Sequence, residues 1–179
     1  MHNRFVKNAF QSAWVVDDIE DAASLWAEKT GIGPFFLADY QEGVLVDTFY
    51  RGTPLPLTMK TALAQAGDMQ IELIQPTGNR PSAYRDTVPV GRAGFHHIAL
   101  WSSDVSGDIA HYVDRGFEVA ASGSAGGIGQ FAYIDTTSVF GHMIELVEDI
   151  DIIRTVFKAV ADAAIGWDGS DPVRAFPGN

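Results

Sequence analysis

The chain has 179 residues, of which 46% are hydrophobic and 20% are charged, a composition that is typical of one folded globular domain and excludes an intrinsically disordered chain. A net charge of −11 without a basic stripe argues against nucleic acid or an anionic membrane surface as a partner. No apolar run is suited to a signal peptide or a bilayer span and there is no cysteine, so we expect a soluble cytoplasmic protein. Without cysteine, a transition metal would have to be bound by His, carboxylate, amide or water ligands.

The first half of the chain is predicted to form a strand, a helix and then a series of strands. The first strand covers residues 11–16 (QSAWVV) and ends before Asp18, which is suited to cap a helix at 19–30. Gly31 suits the left-handed position that follows such a helix. Further strands are predicted at 35–40, 44–50, 57–63 and 69–75, so this first module spans about residues 9–76.

The second half repeats this order after a linker at about residues 77–94, which is rich in Pro, Gly and Arg. A strand at 96–101 ends before Asp104, which is suited to cap a helix at 105–115, and strands follow at 117–123, 131–137 and 142–148. Aligning the halves places Gln11 on His97 and Asp18 on Asp104, and the closing strands MQIELIQ and HMIELVE also match. The second module therefore spans about residues 95–148.

Residues 149–179 follow the second module and have no counterpart in the first. Residues 149–165 are predicted to form a helix with one apolar face, which could cover the sheet, line a pocket or dock a second chain. The tail at 166–179 is predicted to be rich in turns.

The alternation of side chains along a strand predicts the face that each residue occupies. In HHIALW, His97 shares a face with Ala99, whereas His96 is expected to pack on the opposite face with Ile98 and Leu100. In the closing strands, the aliphatic side chains on each side of the glutamate face away from it. We expect the aliphatic face to pack under the helices, which leaves four polar residues together on the other face: Gln11, Glu72, His97 and Glu145.

These four residues, placed by the repeat, favour a divalent metal site, because a buried glutamate is costly unless it is paired. They supply three oxygens and one imidazole nitrogen, and Ala13 and Ala99 leave room above them for a substrate. The alternative interpretation is that the glutamates face solvent and that His97 is an ordinary histidine of the sheet.

The segment GRAGFHHIALWSSD (91–104) and the two IEL strands resemble the vicinal oxygen chelate superfamily, which includes glyoxalase I, methylmalonyl-CoA epimerase, extradiol dioxygenases and antibiotic-resistance proteins. The resemblance extends over residues 9–148. It implies a single α+β domain over residues 1–179, in which paired βαβββ modules form a curved mixed sheet, a cup around a metal site, with an added C-terminal helix. It also implies a homodimer.

The ligand pattern resembles that of glyoxalase I, because its order of Gln, Glu, His and Glu matches Gln11, Glu72, His97 and Glu145. The implied cofactor is a divalent metal: Zn, Ni, Co or Mn. Glutathione is not the expected substrate, because the positions that bind it in glyoxalase I hold Val15, Pro76 and Ala93 here. A single histidine in the ligand set argues against dioxygenase chemistry.

The resemblance implies an isomerase, epimerase or lyase that acts on a small 2-oxo or 2-hydroxy carbonyl compound, including acyl thioesters. The metal would polarise two adjacent substrate oxygens, Glu145 or Glu72 would remove the α-proton, and the metal would hold the resulting enediolate. The alternative is a metal-free module that binds a hydrophobic ligand or confers antibiotic resistance. In both cases the partner is a small molecule.

Residues outside the ligand set carry weaker signals. Aromatic residues could line a substrate pocket, namely Phe49, Trp101 and Phe131, although aromatic residues on strands usually belong to the core. Asp47 is a spare acid that is expected to be solvated. Several basic residues could bind a phosphate or carboxylate tail of the substrate: Arg51, Lys60, Arg80, Arg85 and Arg92.

Overall fold

The computed structural model describes residues 8–176. The first module contains seven elements in chain order: β1 (Ala9–Val15), α1 (Ile19–Thr30), β2 (Phe35–Tyr40), β3 (Leu45–Tyr50), β4 (Thr53–Pro54), β5 (Met59–Ala66) and β6 (Met69–Pro76). The rest of the described chain contains nine: α2 (Ala83–Thr87), β7 (Gly94–Ser102), α3 (Val105–Val113), β8 (Glu118–Ala125), β9 (Gly129–Asp135), α4 (Thr137–Phe140), β10 (Met143–Glu148), α5 (Asp151–Ala164) and β11 (Val173–Ala175). No helix in the described part is long and apolar enough to cross a bilayer.

The helices α1 and α3 both begin where their predicted capping residues place them, and α1 also ends where predicted. The Asp18 carboxylate accepts hydrogen bonds from the backbone N–H groups of Glu20 and Asp21, and Gly31 adopts the left-handed conformation with φ of 73°. Asp104 caps α3 in the same way by accepting from the Gly107 N–H, and that helix ends at Val113, two residues before the predicted end. Local hydrogen bonding therefore sets these boundaries.

All the strands belong to one mixed sheet, in the order β11-β2-β5-β6-β1-β7-β10-β9-β8-β3-β4. The two modules meet where β1 pairs antiparallel with β7. Each module's closing strand pairs parallel with its first strand, β6 with β1 and β10 with β7. The fold is α+β with a large curved sheet, which confirms the predicted fold class.

The strand β3 belongs to the first module in sequence but pairs with the second module in space. It runs antiparallel to β8, near the far end of the sheet from β2. Because only residues 41–44 separate β2 from β3, the sheet must curve until these two strands lie close together. This curvature produces the predicted cup.

The aliphatic face of the central strands packs under the helices, as the alternation predicts. Ile71 and Leu73 of β6 form a buried cluster with Ile19 and Ala23 of α1. The side chains on the opposite face of β6 therefore point into the cup.

The segments outside the two modules are more ordered than the sequence indicates. The linker contains α2, whose Tyr84 is fully buried. The tail supplies β11, which pairs parallel with β2. The helix α5 follows β10 of the second module and packs on β5 of the first, where its Val160 is buried with Phe36 and Leu63. It therefore crosses the cup.

Candidate metal centre

The four predicted ligands lie on four adjacent strands at the centre of the sheet. In the order β6-β1-β7-β10, these strands carry Glu72, Gln11, His97 and Glu145. Ala13 is paired with both Glu72 and His97, and Ala99 is paired with both Gln11 and Glu145. Each row across the sheet thus places a fully buried alanine between two polar side chains, and the small methyl groups leave space between them.

Three of the four predicted ligands, Glu72, His97 and Glu145, form one cluster. The Nε2 atom of His97 lies 3.0 Å from a carboxylate oxygen of Glu145 and 3.5 Å from one of Glu72. One ligand atom from each of these residues lies within 4.8 Å of the others, which is close enough for a single ion to contact all three.

Gln11 lines the same cavity as Glu72 and Glu145, and its amide orientation is set by a neighbour. Its Nε2 donates a hydrogen bond of 2.7 Å to Oε1 of Gln70, which is buried beside it. This leaves the carbonyl oxygen of Gln11 as the atom available to a metal. Gln70 was missed from the sequence, although its position two residues before Glu72 on β6 places it on the same face.

Hydrogen bonding determines which nitrogen of each adjacent histidine carries the proton. Nε2 of His96 lies 3.1 Å from the carbonyl oxygen of Ala83, which can only accept, so this nitrogen carries the proton. Burial, followed by the neighbouring His97, lowers the pKa of His96 to about 3, so its Nδ1 is an unprotonated acceptor. That atom lies 2.9 Å from Nδ1 of His97, which must be the donor. The other ring nitrogen of His97, Nε2, is the atom that faces the two carboxylates.

The cluster places two carboxylates close together in a mostly buried site, an arrangement that a bound cation would stabilise. Nε2 of His97 is buried and makes no hydrogen bond within the described residues. Burial, followed by the charge of Glu145, raises the pKa of Glu72 well above its ordinary value. The same causes, burial and then the charges of both glutamates, raise the pKa of Tyr40 to about 12. Since no Lys or Arg lines the described cavity, the donor set fits a divalent ion of the kind that binds imidazole and carboxylate ligands.

The cluster forms one end of a cavity of about 270 Å³. Six polar residues line it: Gln11, Tyr40, Glu72, Gln130, Tyr133 and Glu145. The helix α5 supplies the apolar roof with Ile152, Ile153, Val156 and Phe157. Of the roles left open for this helix, the structure thus shows that it lines the pocket.

The prediction that His96 packs with Ile98 and Leu100 is wrong. Its ring is fully buried on the inner side, where it contacts the rings of Tyr84 and Tyr133. Those two hydroxyl groups are hydrogen bonded to each other at 3.2 Å. The sequence gives no signal for Tyr84, which comes from the linker, whereas Tyr133 follows the alternation of β9 from Phe131.

Four other residues that the sequence analysis singled out lie in different places, and only one of them lines the cavity. Phe131 lines the cavity, as expected. Trp101 stacks on Phe10 instead, with the Arg154 guanidinium 4.0 Å from its ring centre. Phe49 is 40% exposed, and Asp47 is exposed as expected.

Comparison with known proteins places this architecture in a family. The model of the glyoxalase/bleomycin resistance protein/dioxygenase superfamily matches residues 10–133. No curated protein sequence matches the chain. A methylmalonyl-CoA epimerase in complex with methylmalonyl-CoA and NH₄⁺ is similar in fold, with 20% identity, a TM-score of 0.55, and coverage of 82% of this chain and 97% of that one.

Two further solved structures have the same fold at low identity. A hypothetical protein from Bacillus halodurans is 18% identical, with a TM-score of 0.55 and coverage of 81% of this chain and 96% of its own. The methylmalonyl-CoA epimerase from Mycobacterium tuberculosis is 15% identical, with a TM-score of 0.53 and coverage of 85% and 97%. The chain therefore belongs to the glyoxalase/bleomycin resistance protein/dioxygenase superfamily.

Proposed function

We propose that the protein is a divalent-metal-dependent isomerase, epimerase or lyase that removes a proton next to a carbonyl group of a small 2-oxo or 2-hydroxy compound, acyl thioesters included. The observation that carries this proposal is the convergence of Glu72, His97 and Glu145 beside a cavity, together with a buried Nε2 atom of His97 that has no hydrogen-bond partner in the described part of the chain. Family membership and the epimerase fold neighbours support it.

The ion would be held by Nε2 of His97, the carboxylates of Glu72 and Glu145 and the carbonyl oxygen of Gln11. When bound, it would supply a Lewis acid that polarises two adjacent substrate oxygens and makes the neighbouring C–H acidic. Gln70 orients the Gln11 amide, and His96 fixes the protonation of His97.

The two carboxylates provide the proton transfer. Glu145 accepts the α-proton while the electron pair of the C–H bond stays on the substrate as an enolate. Glu72 lies three strands away on β6, and the strands that carry His97 and Gln11 lie between it and Glu145. Return of a proton to the same carbon from the opposite face gives epimerisation, and return to the neighbouring carbon gives isomerisation.

Metal binding is the first test. Chelator-treated protein is titrated with Co²⁺, and binding is followed by calorimetry and visible absorption. We expect about one ion per chain, a large loss of affinity in Glu72→Gln and Glu145→Gln, and no change in the surface control Glu28→Gln. Failure of the wild type to bind Co²⁺, or unchanged binding in both site variants, would contradict the proposal.

Proton abstraction is the second test. Candidate 2-hydroxy and 2-oxo acids, esters and thioesters are incubated with Co²⁺-loaded enzyme in heavy water, and deuterium at the α-carbon is measured by mass spectrometry. We expect Glu145→Gln to lower the exchange rate by about 10² to 10⁴, the usual contribution of a general base. Stoichiometric metal binding with wild-type exchange in Glu145→Gln would exclude this base. Ligand binding without metal would favour the binding-module alternative.

A further inference from the structure

The lining of the cavity contains two chemically different parts. The carboxylates of Glu72 and Glu145 are its charged groups, and its apolar end consists of side chains of α5 together with Phe131 of β9 and Met59 and Leu63 of β5. A ligand that reaches from the metal ligands to the helix must therefore be amphipathic.

Apart from the proposed ion, the described residues place no positively charged group in the lining of this cavity. Its lining contains no Lys, Arg or His among the described residues. The basic residues that could have bound an anionic tail are used elsewhere: Arg51 pairs with Asp86, Glu118 and Asp135, and Arg80 pairs with Glu42. Arg85 donates to the backbone carbonyls of Val88 and Pro89. Lys60 and Arg92 are also absent from the lining.

An anionic group beneath α5 would therefore lose its hydration without gaining a counter-charge from a side chain of the lining. This loss of hydration disfavours the charged form of such a group. An uncharged apolar group gains instead from leaving water.

The apolar end is formed by packed elements rather than by a loop. A Cβ atom added at Gly129 of β9 would lie 2.5 Å from Cδ1 of Ile153, which shows that α5 rests directly on this strand. The helix is held at one end by the Arg154–Asp149 ion pair and at the other by buried Val160. At about 270 Å³, the cavity suits only a small group.

We propose that the substrate carries an uncharged apolar substituent, a short alkyl chain or a single ring, that contacts the α5 side chains and Phe131 in the cavity while its two oxygens face the metal ligands. Ile153, Val156 and Phe157 would determine specificity for this substituent. This inference rests on the proposed function and narrows its substrate class.

The test uses hydroxamates, which carry two adjacent oxygens and a variable tail. Acetohydroxamate, butanohydroxamate and hexanohydroxamate are each titrated into the Co²⁺-loaded protein. Their affinities are measured from the change in the visible absorption of the bound Co²⁺. Each added methylene should raise affinity by about fourfold until the cavity is full. Succinic monohydroxamate, whose tail ends in a carboxylate, should bind at least about tenfold more weakly than pentanohydroxamate. Equal binding of these two compounds, or no dependence on chain length, would overturn the inference.

A charge substitution tests the position of the tail. Val156→Arg places a cation in the roof and should reduce the preference for pentanohydroxamate over succinic monohydroxamate by at least about tenfold. The matched control is Ile165→Arg, since Ile165 is 81% exposed just beyond α5 and does not line the cavity. An equal change in both variants would place the tail elsewhere.

A small neutral probe separates failure of this inference from failure of the proposed function. Toluene is titrated into metal-free protein and followed by calorimetry, so that binding cannot depend on an ion. We expect saturable binding that Val156→Arg weakens and Ile165→Arg leaves unchanged. If Co²⁺ does not bind while toluene does, the proposed reaction is wrong but the apolar ligand class stands. If Co²⁺ binds while toluene does not bind and the tail series shows no preference, only the apolar inference is wrong.

Discussion

Two histidines that are adjacent in the chain both reach the interior, which strict alternation along a strand forbids. The pairing of β1 with β7 explains this, because Ala13 pairs with His97 while Trp14 pairs with Phe95. His96 is the extra residue of a β-bulge at this step. A bulge bends the strand and changes the direction of a side chain, so His96 turns toward Tyr84.

The chain of hydrogen bonds from the Ala83 carbonyl through His96 to His97 gives a prediction at the scale of residues. Long-range ¹H–¹⁵N spectra of the metal-free protein should show His96 protonated at Nε2 and His97 protonated at Nδ1. His96→Phe removes the acceptor for His97, and we expect Co²⁺ affinity to fall by about 10- to 100-fold, as for other partners of metal-binding histidines.

The control for this prediction is His142→Gln. His142 contacts the backbone oxygen of Met143 and has no part in the Ala83–His96–His97 chain, so its replacement should leave Co²⁺ affinity unchanged. Finding Nδ1 of His97 unprotonated in the metal-free protein would refute the assignment, whatever the affinity of the variants.

At the scale of elements, the contact between α5 and β9 depends on one glycine. Gly129 does not have a positive φ, so alanine is compatible with its backbone, and the obstacle is the Cδ1 atom of Ile153. Because Cδ1 is the far end of a side chain that can change rotamer, we expect Gly129→Ala to lower the free energy of unfolding by only about 0.5–1.5 kcal/mol, the cost of a displaced rotamer. Urea denaturation followed by circular dichroism measures the change.

A double variant isolates that clash. Ile153→Val removes the Cδ1 atom, so adding it to Gly129→Ala should restore most of the lost stability, although Ile153→Val alone costs about 0.5–1.5 kcal/mol. Simple addition of the two losses would show that α5 and β9 do not meet at this point.

At the scale of the whole molecule, the crossing of β3 makes the two modules one unit. Strand β3 of the first module pairs with β8 of the second, and α5, which follows the second module, packs on the first. The cup and its cavity therefore exist only when the complete sheet has formed.

The stability of this unit should depend on pH in the absence of metal. The pKa of Glu72 is raised in the folded protein, so its contribution is fully present below the ordinary value of 4.5 and is lost as pH rises through the folded pKa. With a chelator present, the free energy of unfolding of the wild type should fall relative to Glu72→Gln as pH rises from about 5 to about 8, by up to about 1.4 kcal/mol per pH unit.

Urea denaturation across this range measures the difference, with Glu28→Gln as the control for surface charge. Adding Co²⁺ should reverse the loss at neutral pH, because an ion that binds only the folded state stabilises it. Parallel pH profiles for the wild type and Glu72→Gln would contradict the prediction.

The sequence by itself determined the order of the two modules, the helix boundaries at Asp18 and Gly31, and the common face of the four predicted ligands. These features depend on local hydrogen bonds and on the two-residue alternation of a strand, and both are determined by residues that are close together in the sequence. Only the tertiary structure decided that β3 pairs with β8, that α5 roofs the cavity and that a bulge turns His96 inward. Those outcomes depend on pairing and packing between segments that are distant in the sequence. The local sequence of a strand or helix is compatible with several such pairing partners and does not select one of them.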